Sequence, residues 1–253
     1  MLFITLLACY DFEGDLGHLG FVSDLRVDHR TAWTPEYGVA GRSNPSFYAV
    51  ADLTAEEEDA EVPPLWGASD REHVAEDNNV LRVLGPRRGS AEVWFEGPVE
   101  DEFELRFRPA DELVLVDSIG EELAEIAVVP GAEVPLGVRV LDGFSRPLGW
   151  REPDLSVEGD DGVSAWTEGG RVYVVASSEG GLHLDLLHGD GFTPVTVGAP
   201  AHQEVEIVHE DGEHEILRHR AWTEEGVRLF GVPAQWPEGV EILGPDLAMR
   251  TSP

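Results

Sequence analysis

Six of the nine histidines fall between His183 and His219, the one stretch where residue type and spacing point to a site. In Val205-Glu-Ile-Val-His-Glu-Asp-Gly-Glu-His-Glu-Ile216, the pair Asp211-Gly212 is a strong two-residue hairpin signal. A turn centred on that pair sets His209 opposite His214 and Glu210 opposite Glu213. Directly paired imidazoles, with β-carbons about 5 Å apart, can grip Zn²⁺ or Cu²⁺. A closed zinc site takes four ligands, so His219 or a glutamate has to help, and the candidate metal set is His209, His214 and His219. The plainer reading, which the sequence favours, is a solvated polar hairpin tip. His214-Glu-Ile-Leu-Arg-His219 comes near the zinc-protease pattern but spaces its histidines by five. At strand period these two point to opposite faces, so the motif fails on geometry.

Other chemistry is thinner. The acidic turns Glu158-Gly-Asp-Asp-Gly162 and His188-Gly-Asp-Gly191 offer oxygen ligands to Ca²⁺. Neither carries the spaced aspartates and distal glutamate of a calcium loop, and surface turns are the simpler account. Gly162-Val-Ser-Ala-Trp166 breaks the nucleophile-elbow pattern at its last position. Trp66, beside Pro63-Pro64, is a candidate ligand contact on an exposed surface, with a core position as the favoured alternative. Paired carboxylates for glycoside hydrolysis mean little here, because among 50 acids some pair always lies close.

Composition closes further doors. The 17 basic residues are all arginine, so no lysine can serve as Schiff-base, phosphate-loop or general-base residue. A net charge of −33 argues against nucleic acid or an anionic bilayer surface as a partner, since binding there depends on basic clusters. Arginine without lysine fits a GC-rich coding bias or a saline habitat. With 42% apolar residues the chain can bury a sizeable core.

The single cysteine, Cys9, follows the apolar run Met1-Leu-Phe-Ile-Thr-Leu-Leu-Ala8, and the chain then turns acidic and glycine-rich. That is the tail end of a secretory signal. Leu6-Leu7-Ala8-Cys9 resembles the lipobox of bacterial lipoproteins, which implies lipid attachment at Cys9 as the first mature residue. It departs from the family in the bulk of Leu7 and in lacking a basic segment before it. Tyr10 after the cysteine implies, by the same resemblance, export to the outer membrane of a diderm cell. The alternative is that Leu2 to Tyr10 is a first strand with a buried thiol.

The elements that must position these residues read as strands. Glycine and proline, 28 and 17 of them, punctuate short alternating or β-branched runs with no amphipathic helix between them. In Glu102-Phe-Glu-Leu-Arg-Phe-Arg108 the phenylalanines and leucine take one face and the charges the other. The acidic run Thr54-Ala-Glu-Glu-Glu-Asp-Ala-Glu61 reads as a loop or short helix, and Asp70 to Asp77 as one or two helical turns. Strands spaced by about ten residues indicate sandwiches. Residues 1–19 read as signal remnant and linker, 20–118 and 119–199 as two β-sandwiches, and 200–253 as a partial third unit or hairpin extension.

Val138-Arg-Val-Leu-Asp-Gly-Phe-Ser-Arg-Pro-Leu148, followed by Leu155-Ser-Val157 and Gly170-Arg-Val-Tyr-Val-Val-Ala-Ser177, resembles the bacterial immunoglobulin-like (Big) repeats of surface proteins. Gly89-Ser-Ala-Glu-Val-Trp-Phe95 is similar to the late strand of such a repeat, and Arg228-Leu-Phe-Gly-Val-Pro-Ala-Gln-Trp236 to its turn and tryptophan strand. The resemblance implies tandem immunoglobulin-like β-sandwiches and a non-enzymatic structural or adhesive role at the cell envelope. The implied partner is an envelope protein or a glycan, with membrane attachment through the lipid alone. A carbohydrate-binding accessory module of an extracellular enzyme system, or a metal-binding envelope protein using the histidine hairpin, are the competing readings. No cofactor is expected beyond the weakly supported Zn²⁺ or Ca²⁺.

Overall fold

The computed structural model describes residues 10–13, 19–26, 38–51, 66–68, 74–77, 80–95, 101–187 and 189–251. Cys9 and the acidic run from Thr54 to Glu61 lie outside them. The described chain is all-β, with one 3₁₀ turn at Glu152–Asp154. Its mostly antiparallel sheets are of the all-β class that the punctuated, alternating runs predict. Two compact units form. One comprises the residues up to Leu113 with Arg139–Ser156 and Asp185–Asp190; the other comprises Val114–Val138, Val157–Leu184 and the residues from Gly191 onward.

In the first unit the strands are β1 (Tyr10–Glu13), β2 (Leu19–Ser23), β3 (Val39–Ala40), β4 (Ser46–Ala51), β5 (Trp66–Ala68), β6 (Val74–Asp77), β7 (Val80–Val83), β8 (Gly89–Phe95) and β9 (Asp101–Arg108). They make two sheets, ordered β1-β2-β4-β7-β6 and β3-β9-β8-β5. The helical turns expected between Asp70 and Asp77 are not formed over Val74–Asp77. That segment pairs antiparallel with β7, where Val74 meets Val83, because ladder hydrogen bonds outweigh a weak local helical preference. In β9 the expected alternation holds: Phe103, Leu105 and Phe107 are buried and Glu102 and Arg106 are exposed. Phe103 meets Phe47 of β4 with ring centroids 5.3 Å apart, which joins the two sheets across the core.

The chain continues with β10 (Glu112–Val116), β11 (Glu122–Leu123), β12 (Ile126–Val128), β13 (Val134–Leu141), β14 (Pro147–Leu148), β15 (Leu155–Gly159), β16 (Val163–Glu168), β17 (Arg171–Ala176), β18 (Gly180–Leu186) and β19 (Gly189–Val197). Then follow β20 (His202–Glu210), β21 (His214–Trp222), β22 (Arg228–Phe230), β23 (Glu241–Ile242) and β24 (Leu247–Thr251). The end of β13 turns into β14 within the first unit, setting Val140 against Leu148. In the second unit β16 pairs with β17, and β17 with β13, and β16 is the edge of that series. β12 lies parallel to both β19 and β22, and β21 carries β20 along its length and β22 and β24 on its other side. Ala127, Ala221 and Leu229 form a buried cluster where β12, β21 and β22 meet. Residues 200–251 thus fold inside the second unit.

Candidate functional site

The histidine hairpin forms, one residue out of the expected register. Glu210 pairs with Glu215, and the reversal runs from Asp211 to His214 with Gly212-Glu213 at its centre. His209 therefore faces Ile216, not His214, and Glu210 does not face Glu213. Two local causes set this. Oδ1 of Asp211 accepts the N–H groups of Glu213 and His214 at 2.9 and 2.7 Å, which places Asp211 at the start of the turn. Gly212 takes φ +87°, a conformation glycine adopts without penalty. Between Ile207 and His209 the register slips around Val208, a bulge that resets which side chains share a face. The two N–H donors, His214 first, hold the Asp211 carboxyl below its usual range.

The three candidate metal residues do not converge. His209 is exposed on β20, His214 begins β21 opposite Thr251, and His219 lies buried in the middle of β21. The His219 Nε2 sits 3.1 Å from Oε1 of Gln203, and its ring meets Trp236 edge-on at 6.2 Å. Burial, then repulsion from Arg228, lowers its pKa, with Asp246 opposing, which favours the neutral imidazole. Among the described residues no group of three or more His, Cys, Asp or Glu is placed to hold a metal ion. Of the calcium candidates, Asp160 lies in an exposed turn with Oδ1 3.2 Å from His183 Nε2, and Gly189 and Asp190 belong to strand β19. Ser164 stands on the edge strand β16, paired with Val175, not on a strand-to-helix elbow. Trp66 takes its place in β5 opposite Phe95; its side chain lies outside the described residues.

What the hairpin does bring together is a charged network that spacing alone did not single out. Arg218 of β21 is 5% exposed at its side chain and faces Glu206 of β20 directly. Its Nε donates to Glu206 Oε1 at 2.7 Å and its Nη2 to the same oxygen; its Nη1 donates to Asp117 Oδ2 at 2.8 Å and Glu121 Oε2 at 2.9 Å. Arg220, two residues on and so on the same face, donates to Glu121 at 3.1 Å and Glu206 at 3.4 Å. Asp117 also caps its own turn, with Oδ1 accepting from the N–H of Ile119 and of Glu121. Burial alone lowers the Arg218 pKa, but its carboxylate partners outweigh it and the net direction is up. Arg228 shows the opposite balance. Burial, then the Arg220 and Arg218 charges, hold it down to about 10 against Asp117 and Asp246. It rests instead over the rings of Phe230 and Trp222, at 5.3 and 5.7 Å, and donates from Nη2 to the His219 carbonyl. Half-buried Asp246 has its carboxyl pushed up by desolvation and accepts a hydrogen bond from Ser118 at 2.8 Å. The sequence signal was Arg218-x-Arg220-x-Trp222, one strand face carrying two cations and an aromatic ring.

The first unit holds a second clamp. Asp142 accepts at Oδ1 from the N–H groups of Phe144 and Arg146, and at Oδ2 from the guanidinium groups of Arg146 and Arg108. Burial works against ionisation, but these donors, Arg146 foremost, lower the pKa to about 2.

No family model matches the sequence, and no curated protein matches it. Among solved structures, domains 4–9 of the surface layer protein SbsC match over 90% of this chain at 13% identity, with a TM-score of 0.36. The Escherichia coli adhesin FdeC matches over 96% of this chain and 90% of its own, at 12% identity and a TM-score of 0.27. Tandem Ig repeats of Dlar match over 63% of this chain and 91% of theirs, at 14% identity and a TM-score of 0.25. The chain spans 42% of the SbsC domain 4–9 structure and 37% of the SbsC domain 1–6 structure.

Proposed function

We propose that this chain is a non-catalytic, extracytoplasmic scaffold. It presents β-sandwich surfaces at the cell envelope in a structural or adhesive role and is tethered by lipid at Cys9. An envelope protein or a glycan is its partner. The observation that carries the reading is how the charged clusters are used. Asp142 with Arg108 and Arg146, and Arg218 with Asp117, Glu121 and Glu206, are closed on themselves as clamps that tie turns to strands. A catalytic group has to meet its substrate with a free hydrogen-bonding position, and the buried members of these clusters, Asp142, Arg218 and Asp117, are engaged by intrachain partners. The lipobox-like Leu6-Leu7-Ala8-Cys9 supports the tether, since stable membrane attachment through acyl chains takes more than one, as lipoprotein processing supplies.

The experiment is metabolic labelling of cells expressing the full-length gene with tagged palmitate, followed by protease treatment of intact cells. Label on the protein that disappears in Cys9→Ala, with cleavage of the protein on unbroken cells, is the expected result. Absence of label while a known lipoprotein in the same cells is labelled overturns the tether. Recovery of uncleaved protein in the cytosolic fraction overturns the envelope location.

A further inference from the structure

Exposed aromatic rings of the described residues fall into two kinds. Phe144, 77% exposed, carries Arg146 over its ring at 5.0 Å, and Phe192 packs against His183 at 5.0 Å and covers Gly181. Both are engaged within the turn or sheet that bears them. Trp166 differs. It stacks on Tyr173, its direct partner across β16 and β17, with ring centroids 5.4 Å apart and planes within 8° of parallel. Parallel stacking covers one face of the indole. β16 is the edge strand, so the other face turns toward open solvent, and the residue is 37% exposed.

The row extends inward to Pro135 of β13, the register partner of Tyr173. A tryptophan, a tyrosine and a proline thus run across three strands on the outer face of the second unit. Inward-facing neighbours on the same strands, Val134, Val172 and Val174, fill the core and hold the row in place. Polar groups flank it on the same face: Ser164 one step along β16, and Glu168 with Arg171 as the pair at the other end.

We infer that the open indole face of Trp166, braced by Tyr173 and flanked by Ser164, Glu168 and Arg171, is a docking platform for a pyranose ring of a neutral glycan. A rigid aromatic face offers the axial C–H face of a sugar a large apolar contact at low entropic cost, and the flanking groups supply hydrogen bonds to its hydroxyls. The net charge selects the class of glycan. A field of −33 repels uronate- and sulfate-bearing chains and leaves neutral hexose and N-acetylhexosamine polymers as the ligands that can approach. This inference does not depend on the lipid tether, and purified protein tests it.

The test is affinity electrophoresis of the purified full chain in gels containing hydroxyethyl cellulose, glycol chitin or polygalacturonate, with Trp166→Ala and Trp166→Tyr alongside. The expected result is retardation in at least one neutral polysaccharide and none in polygalacturonate. Trp166→Ala should weaken the retardation at least about tenfold, and Trp166→Tyr should restore part of it. Circular dichroism melts of the variants confirm folding, which truncation at an exposed edge position leaves intact. No retardation of the wild-type chain by either neutral polysaccharide overturns the proposal. So does equal retardation of wild type and a folded Trp166→Ala, or stronger retardation in polygalacturonate than in the neutral gels.

Discussion

Asp142 shows how much one carboxylate can do in a turn. The sequence marks Asp142-Gly-Phe-Ser-Arg146 as a turn, and Ser145 pays in backbone conformation with φ +58°. What holds that conformation is the carboxylate, which takes two backbone N–H groups and two guanidinium groups. With its folded-state pKa near 2, below the ordinary 3.8, it stabilises the fold above about pH 4. That contribution fades as pH falls toward 2. Asp142→Asn keeps the shape but removes the charge, and the expected loss is about 2 kcal/mol at pH 7, shrinking toward zero near pH 2. Urea melts of both proteins at pH 7 and pH 2.5 check this; an equal loss at both values would show that shape, not charge, sets the turn. Histidine at position 219 was legible as a residue able to bind metal, but nothing in its neighbours along the chain said that it would be buried against Gln203 and Trp236.

At the scale of elements, the hairpin of β20 and β21 was legible and its register was not. Asp211-Gly212 announces a reversal, yet either the pair itself or the pair one residue on can occupy its centre. The choice fell to Asp211 as a hydrogen-bond acceptor for Glu213 and His214, and the bulge at Val208 shifted the strand again. That single-residue shift separates His209 from His214. The same hairpin depends on Arg218, whose partners Asp117 and Glu121 lie 101 and 97 residues away. Replacing one member of a buried ion pair leaves its partner, here Asp117, desolvated and without that cation, at about 3–5 kcal/mol. Arg218→Met is therefore expected to destabilise the second unit by about 3 kcal/mol or more. Combined with Asp117→Asn and Glu206→Gln it should cost less than the sum of the three single changes. Guanidinium melts arranged as a mutant cycle read this directly, and strict additivity would mean that the groups do not act as one network.

For the whole molecule, the charge of −33 means that acidic side chains far outnumber their arginine partners, and among the described residues some stand at solvent-facing positions such as Glu102 in β9 and Glu204 in β20. Charges on open strand edges discourage edge-to-edge pairing, and their mutual repulsion destabilises the compact state. Raising sodium chloride from 0.01 to 1 M shortens the screening length from about 30 to about 3 Å, while buried pairs are screened little. The melting temperature should rise by at least about 3 °C, the shift that ~1 kcal/mol gives in a chain of this size. A melting temperature indifferent to salt would mean that the surface charges are neutralised locally and that the saline-habitat reading fails.

By itself the sequence determined the all-β class, the inward and outward faces of strands such as Glu102 to Arg108, and that the chain reverses near Asp211-Gly212. These are short-range properties, written in the two-residue period and in turn residues that act on their immediate neighbours. Only the tertiary structure decided which strand lies beside which, and so which charges and rings meet. Arg218 with Asp117, Trp166 with Tyr173 at a sheet edge and His219 buried against Gln203 and Trp236 all follow from strand pairing and burial. Alternation names the face a residue takes but leaves its cross-strand partner open, because many registers satisfy the same pattern and only packing selects among them.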